Sequence, residues 1–416
     1  MLLTGWTSLN KLLCLLPKIM TQSTLEQKNN PGSQVAVVAY QSPWMDDELR
    51  IFRKTVRRFI QEQFVPHQAR WRDQHHPDPE AWMEMGKVDI LLPDFPQEYG
   101  GGGGTFAHET VVNEELAFAG VHFGCSIQSI VGHYILSYGT EEQKRNWLPR
   151  MGRGELVAAI AMTEPSAGSD LAGIKTTARR AGDHYVINGS KTFITNAFHA
   201  SLVCVAVKTD PKESGLKGIS LIVVESKNLP GYRVGSAFDK VGMNGLDTCE
   251  IFFDDVQVPA SNLLGSEGKG FNQMVQQLPY ERLTIGVGAV AMAEQAVAIT
   301  TKYVKNRTAF GKSLIDFQNT RFKLAQCKTE VHIGRVFLDN CIERFMAGKL
   351  DAVTAAMAKY WLTECQCRVI DECVQLHGGY GYMNEYPIAR MWTDSRVQRI
   401  YAGTNEIMKE LIGWSL

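Results

Sequence analysis

The sequence contains no run approaching the roughly 18 to 20 consecutive apolar residues of a membrane-spanning helix, so no integral membrane segment is expected. It also lacks an excess of either charge: 43 Lys and Arg against 44 Asp and Glu leave a formal net charge of −1. So balanced a chain offers no global field for nucleic acid or an anionic membrane, and acidic ligands must be met by local Arg and Lys. Cysteine is too sparse for a disulfide scaffold, with nine in 416 residues, and Cys365-Gln366-Cys367 has the wrong spacing for a zinc knuckle. Buried free thiols and no metal site are the expectation, which fits a reducing compartment. Internal repeats are missing as well. The run Gly101 to Gly104 is followed by no Lys-Ser/Thr and fits no dinucleotide fingerprint, which leaves it as a turn.

What is present suffices for more than one core. With 44% hydrophobic residues over this length, two or three domains are expected. Residues 1–44 read as a poorly structured extension. Leu12-Leu13-Cys14-Leu15-Leu16, between Lys11 and Lys18, is short for a signal h-region, and no small-residue cleavage site follows. The segment has no Arg for a transit peptide, so a bacterial cytoplasm is preferred to a mitochondrial matrix, and Met20 and Met45 both offer alternative starts.

Three textures follow. Over 45–156 the period is helical: Leu49, Phe52, Val56, Phe59 and Ile60 share one face, with Asp46 or Asp47 at the start. Over 157–268 short β-rich runs crowd together, at Leu202–Val207, Ile219–Val224 and Glu250–Val256. Tyr185 and Ile187 lead into Asn188-Gly189 as a strand entering a two-residue hairpin. Strands so close, without helices between them, predict an antiparallel barrel or sandwich. Over 269–416 the helical period returns. Small residues fill 282–305, and two further stripes, Leu324 to Phe345 and Val353 to Leu376, point to a helical bundle, the second stopped by Gly378-Gly379.

Specific chemistry enters with five blocks. These are Met162-Thr163-Glu164-Pro165-Ser166-Ala167-Gly168-Ser169-Asp170, then Asn188-Gly189-Ser190-Lys191-Thr192-Phe193-Ile194-Thr195-Asn196 and Arg307-Thr308-Ala309-Phe310-Gly311-Lys312. Gln375-Leu376-His377-Gly378-Gly379-Tyr380-Gly381 and Tyr401-Ala402-Gly403-Thr404-Asn405-Glu406-Ile407 complete the set. In their order and spacing, from about residue 45 onward, the sequence resembles the acyl-CoA dehydrogenase family. That resemblance implies an N-terminal helical domain, a middle antiparallel β-barrel and a C-terminal four-helix bundle, with FAD between barrel and bundle. It also implies a homotetramer, a dimer of dimers, in which part of each FAD site comes from a neighbouring subunit.

Carried over by position, the resemblance assigns Met162, Thr163, Ser169, Phe193 and Thr195 to the flavin. Arg307, Phe310 and Gln318 fall to the diphosphate and adenine portion across the dimer, and Gln375, Gly379, Thr404 and Glu406 to further FAD contacts. A diphosphate favours Arg and free helix N-terminal amides, and Thr404 stands where it would cap the final helix. Ser169, Tyr280, Arg282 and Gly403 are the implied substrate contacts.

The base decides whether such a chain is active. Desaturating an acyl thioester needs a buried carboxylate to take the α-proton and hydrogen bonds to the thioester oxygen. Many relatives carry that acid as Glu in the last block, where this chain has Ala402. The branch containing the long-chain and isovaleryl-CoA dehydrogenases places it instead on the first long bundle helix. Here that segment reads Gln277-Leu278-Pro279-Tyr280-Glu281-Arg282-Leu283, so Glu281 is the implied base and Arg282 organises the substrate site. The run around Tyr280, together with Met357-Ala358-Lys359-Tyr360-Trp361 and the C-terminal block, leans towards the long-chain members. A medium-to-long acyl-CoA and electron-transfer flavoprotein as acceptor are expected. The alternatives are a branched short-chain substrate, or a non-catalytic acyl-CoA-binding homologue. A flavin oxidase is disfavoured, because nitroalkane oxidases use Asp at the 402 position and acyl-CoA oxidases usually carry a further C-terminal domain.

Overall fold

The computed structural model describes residues 40–416 apart from 211, 212 and 214; most of the expected 1–44 extension therefore lies outside the described residues. Helix α1 (Asp47–Phe59) starts on Asp46, whose carboxylate accepts from the Leu49 amide at 2.8 Å, a cap worth about 1 kcal/mol. Just ahead of it, buried Trp44 donates from its indole to Asp339 at 2.8 Å. Five more helices follow: α2 (Gln68–Gln74), α3 (Glu80–Gly86), α4 (Phe106–Ala119), α5 (Cys125–Tyr138) and α6 (Glu141–Gly152). Helices α4 and α6 open on capping boxes at Thr105 and Thr140.

The strands are β1 (Ala158–Ala161), β2 (Thr177–Ala181), β3 (His184–Thr195), β4 (Leu202–Lys208), β5 (Ile219–Glu225), β6 (Tyr232–Val234) and β7 (Thr248–Pro259). They form one seven-stranded sheet in the order β1-β4-β2-β3-β7-β6, with β5 also on β4. This corrects the antiparallel barrel. Both β1 and β2 run parallel to β4, and β6 does not return to β1, so the sheet is an open half-barrel. Local pattern marks strands but not their partners, because pairing across connections is decided by which faces bury together.

The hairpin is also elsewhere. Asn188-Gly189 lies inside β3 at a bulge, where the register against β7 shifts between Ile187 and Gly189. The two-residue turn is Gly182-Asp183, between the paired Ala181 and His184, with Gly182 at φ 65°.

The C-terminal part holds α7 (Gly270–Asn306), a small hairpin of β8 (Thr308–Ala309) and β9 (Lys312–Ser313), α8 (Gln318–Met346), α9 (Ala352–His377), α10 (Pro387–Ser395) and α11 (Asn405–Gly413). Three long helices pack on one another and short α11 lies along α9. Small residues on α7 allow the close approach: a Cβ added at Gly286 would come within 3.0 Å of Leu362. One expectation needs correction here. An 18-residue window of α7 reaches a mean hydropathy of 1.5, enough by length and composition to cross a membrane, but 61% of it is buried inside the protein. Its Gly and Thr residues, with Glu294 and Gln295, break the apolar run without making the helix polar as a whole.

Charged groups also join these layers. Buried Arg335 on α8 forks onto Glu294 of α7 at 2.9 and 2.8 Å and reaches Glu114 of α4 at 2.5 Å. Arg57 of α1 forks onto Glu115 of α4 at 2.7 and 2.8 Å. All eight cysteines among the described residues are free, and the same residues contain no metal-ligand cluster.

Candidate active site

Glu281 lies one third of the way along α7 and is 8% exposed. The Tyr134 hydroxyl, from α5, donates to its Oε1 at 2.9 Å. Burial pushes the Glu281 carboxyl up to about 7, against the partial pull of the Tyr134 hydrogen bond and the Arg282 charge. On the sheet side the buried Cys204 thiol of β4 is pushed up to about 12, by burial first and by Glu281 second. The carboxyl therefore sits where α5, α7 and β4 meet. A carboxyl poised near neutrality is suited to take a proton from a weak carbon acid.

Its neighbour behaves differently, because successive helix residues diverge by about 100°. Tyr280 turns into an aromatic cluster, with ring centroids 4.3 Å from His133, 5.4 Å from Phe106 and 5.9 Å from Phe345. Arg282 is 3% exposed, and its Nε has no hydrogen-bond partner among the described residues. Across from it on α9 is Lys359, fully buried, which donates to the Gly403 carbonyl at 2.7 Å and to Asn405 Oδ1 at 2.9 Å. Burial and then the Arg282 charge lower the Lys359 ammonium to about 8.

Lys359 thus holds the turn at the start of α11. Ala402 and Gly403 there have φ 49° and 86°, the left-handed region that glycine tolerates and alanine rarely enters. Thr404 caps α11 as expected, its hydroxyl accepting from the Ile407 amide at 3.3 Å, and Glu406 follows in the first turn with its side chain exposed.

A second assembly lies in the sheet domain. Buried Lys191 donates to Glu164 Oε1 at 2.8 Å and to the Met162 carbonyl at 3.0 Å. Glu164 also accepts the amides of Lys175 at 2.6 Å and Thr176 at 2.9 Å. Burial raises that carboxyl, and the Lys191 charge and these donors more than reverse it, so its pKa lies below the usual value. With Thr192 N donating to Thr163 O at 2.9 Å, the pair brings the first two blocks side by side: Met162 and Thr163 beside the β3 segment that carries Phe193 and Thr195. Phe193 has φ 58° and is 67% exposed, its ring 5.7 Å from Phe238. Ser169 is exposed in the loop that follows Glu164.

A third set gathers at the other end of α7. Arg307, Gln375 and Gly379 line a cavity of about 530 Å³ with Tyr303, His377 and Tyr380. The Arg307 guanidinium lies 5.6 Å from the Tyr380 ring and makes no ion pair among the described residues. A Cβ built on Gly378 or Gly379 meets nothing within 4 Å, so the floor is open to a ligand. An uncommitted cation, aromatic walls and an open glycine floor fit a planar ring joined to a diphosphate. Phe310 and Gln318 are not in that lining. Phe310 is 96% exposed at the β8–β9 tip, and Gln318 is exposed at the start of α8.

Tyr134, Lys359 and the Glu164–Lys191 pair had no role assigned from sequence. A signal existed for three of them: Lys359 interrupts an apolar helical stripe, and Glu164 and Lys191 stand inside two of the blocks. Tyr134 carried none, being 147 residues from its partner.

Comparison with known proteins identifies the family of the chain. Family models of the acyl-CoA dehydrogenase N-terminal, middle and C-terminal domains match residues 46–155, 159–256 and 268–416. The mitochondrial long-chain specific acyl-CoA dehydrogenase of Mus musculus is 46% identical over 365 residues, 87% of this chain and 85% of that protein. The mitochondrial isovaleryl-CoA dehydrogenase of Oryza sativa is 35% identical, over 89% and 91% of the two chains. An acyl-CoA dehydrogenase structure from Geobacillus kaustophilus superposes with a TM-score of 0.88 at 48% identity, covering 90% of this chain and 99% of that one. One from Bacillus anthracis, complexed with FAD, gives 0.84 at 31% identity over 90% and 68%.

Proposed function

The chain belongs to the acyl-CoA dehydrogenase family, and on that premise we propose that it converts an acyl-CoA thioester to the trans-2-enoyl-CoA. The observation that carries the proposal is the buried Glu281 carboxyl, raised to about 7, in a chain whose other acid location is Ala402. Glu281 takes the α-proton, and the β-hydrogen leaves with its electron pair. Bound FAD supplies the acceptor for that pair. Arg282, the next residue on α7, and the turn at Gly403, held by Lys359, are the proposed flanks of the thioester. Ser169 and Tyr280 complete the proposed substrate contacts. Tyr280 closes the α4–α5 side of the site by packing.

For FAD, Met162, Thr163, Ser169, Phe193 and Thr195 form the proposed flavin-side contacts, with Thr404 and Glu406 at the start of α11. Arg307, Phe310, Gln318, Gln375 and Gly379 take the adenine and diphosphate end. Arg307 lies 26 residues beyond Glu281, about 39 Å along a helical path at the usual rise, too far for one dinucleotide to serve both on a single subunit. That separation supports a neighbouring subunit completing each FAD site, which is compatible with the proposed homotetramer. Electron-transfer flavoprotein is the proposed acceptor. The long-chain specific relatives, at 45–46% identity, support the medium-to-long acyl chain, and the isovaleryl-CoA relatives carry the competing branched short-chain reading.

The test is anaerobic reduction of the purified flavoprotein with acyl-CoAs from butyryl to stearoyl, straight and branched, followed by loss of the oxidised-flavin absorption. Bleaching by medium-to-long straight chains supports the proposal, and bleaching by isovaleryl-CoA alone selects the branched reading. A yellow protein that no acyl-CoA reduces sinks the dehydrogenase assignment in favour of a binding role. Glu281→Gln is expected to retain FAD and to bleach on the order of a thousandfold more slowly. Near-normal bleaching would remove Glu281 from the mechanism.

A further inference from the structure

We propose that Tyr134 is a positioning residue for the base: its hydroxyl holds Oε1 of Glu281 and leaves Oε2 free to receive the substrate proton. The inference rests on the reading of Glu281 as that base. A glutamate side chain has three rotatable bonds, and a base must present one oxygen to one carbon, so something has to remove that freedom. The Tyr134 hydroxyl, at 2.9 Å, is the hydrogen-bond donor to the Glu281 carboxyl, and no second one occurs among the described residues. Tyr134 is itself immobilised: it is fully buried, its ring lies 6.1 Å from that of Tyr138, and it belongs to the largest hydrophobic cluster. It approaches from α5 while Glu281 rides on α7, so the bond sets the carboxyl relative to a second helix and not only to its own.

The bond also acts on protonation. A neutral donor stabilises the carboxylate more than the acid, and so opposes the burial that raises Glu281. The other titratable or charged groups that face Glu281 among the described residues are Arg282 on its own helix and the Cys204 thiol on β4. Arg282 stays a cation, and both Cys204 and Tyr134 are raised far enough to remain neutral, so around neutral pH the titrating member of the group is Glu281. During turnover the hydroxyl need not give up its proton. It donates to Oε1 before and after Oε2 is protonated, which keeps the acid and base forms in one geometry.

The experiment uses the FAD-loaded enzyme and compares wild type, Tyr134→Phe and Glu281→Gln. Two quantities are followed with pH: the anaerobic bleaching rate with a reactive acyl-CoA, and, without substrate, the infrared carboxylic-acid band that is missing in Glu281→Gln. In Tyr134→Phe both titrations are expected to move up by about one unit. Bleaching at pH 6 then falls about tenfold, and the loss narrows as pH rises. Replacement of Tyr134 by 3-fluorotyrosine, a stronger donor that keeps the packing, is expected to move both titrations down, and it serves if the Phe variant folds poorly. Unmoved titrations in both variants overturn the proposal, whatever the change in rate. If Glu281→Gln bleaches normally, it is the base assignment that fails. If Glu281→Gln is inactive and the Tyr134 variants titrate like wild type, the positioning role alone fails.

Discussion

Replacing Glu281 by Gln should cost activity and return stability, and the return should depend on pH. The folded carboxyl titrates at about 7 against an ordinary 4.5, so the folded protein holds a proton there that the unfolded chain has released. A carboxyl raised in this way contributes stability that is fully present below about 4.5 and is lost as pH rises through about 7. At pH 8 the loss approaches 2.5 units, about 3 kcal/mol, while at pH 5 it is under about 1 kcal/mol. Gln is neutral at both values and can still accept the Tyr134 hydrogen bond through its amide oxygen, so the variant avoids the loss. With an unfolding entropy scaled to a chain of this size, 3 kcal/mol is roughly 4 °C in Tm. Paired thermal melts of the two FAD-loaded proteins from pH 5 to pH 8 should show a gap in favour of Glu281→Gln that widens with pH. Glu109, also raised by burial to about 8, is common to both proteins and cancels in the difference. A gap that is constant with pH, or that widens towards acid, would refute the argument.

Two further substitutions probe the supports. Lys191→Met strands the Glu164 carboxylate in a buried site and should cost about 3–5 kcal/mol, read by denaturant titration. Because Lys191 also holds the Met162 carbonyl, flavin content on purification should drop as well. Arg335→Met removes the cation shared by Glu114, Glu294 and Asp339 and leaves Glu114 with Arg53 alone, so a loss of a few kcal/mol is expected; adding Glu114→Gln should recover part of it, a coupling that a double-mutant cycle measures directly.

The helices were readable because their signals are local. Asp46 caps α1, Gly378 ends α9 and Thr404 caps α11, each through contacts within a few residues. The strands were readable as segments, but the sheet was misjudged. Asn188-Gly189 has the composition of a hairpin turn, yet Asn188 is engaged by Asp255 on the neighbouring strand, and its side chain also accepts the Asp255 amide at 2.9 Å. The turn fell instead to Gly182, where nothing lies within 4 Å of an added Cβ. The apolar strength of α7 does not show as an uninterrupted run, because Gly, Thr, Glu294 and Gln295 interrupt it, while 61% of its apolar window is buried inside the protein.

The sequence by itself determined the order of helical, β and helical segments, the caps, the five blocks and, through Ala402 and Glu281, the position of the proposed base. Those are properties of residue type and short spacing, governed by backbone preference and side-chain chemistry. Tertiary structure decided the rest. It opened the sheet into a half-barrel, turned Tyr280 into an aromatic cluster while Glu281 met Tyr134, and seated Lys359 under the turn at Gly403. The physical reason is that the pKa of a carboxyl, and the direction it faces, depend on water excluded and donors supplied by elements far away in the chain, and those elements are brought together by burial.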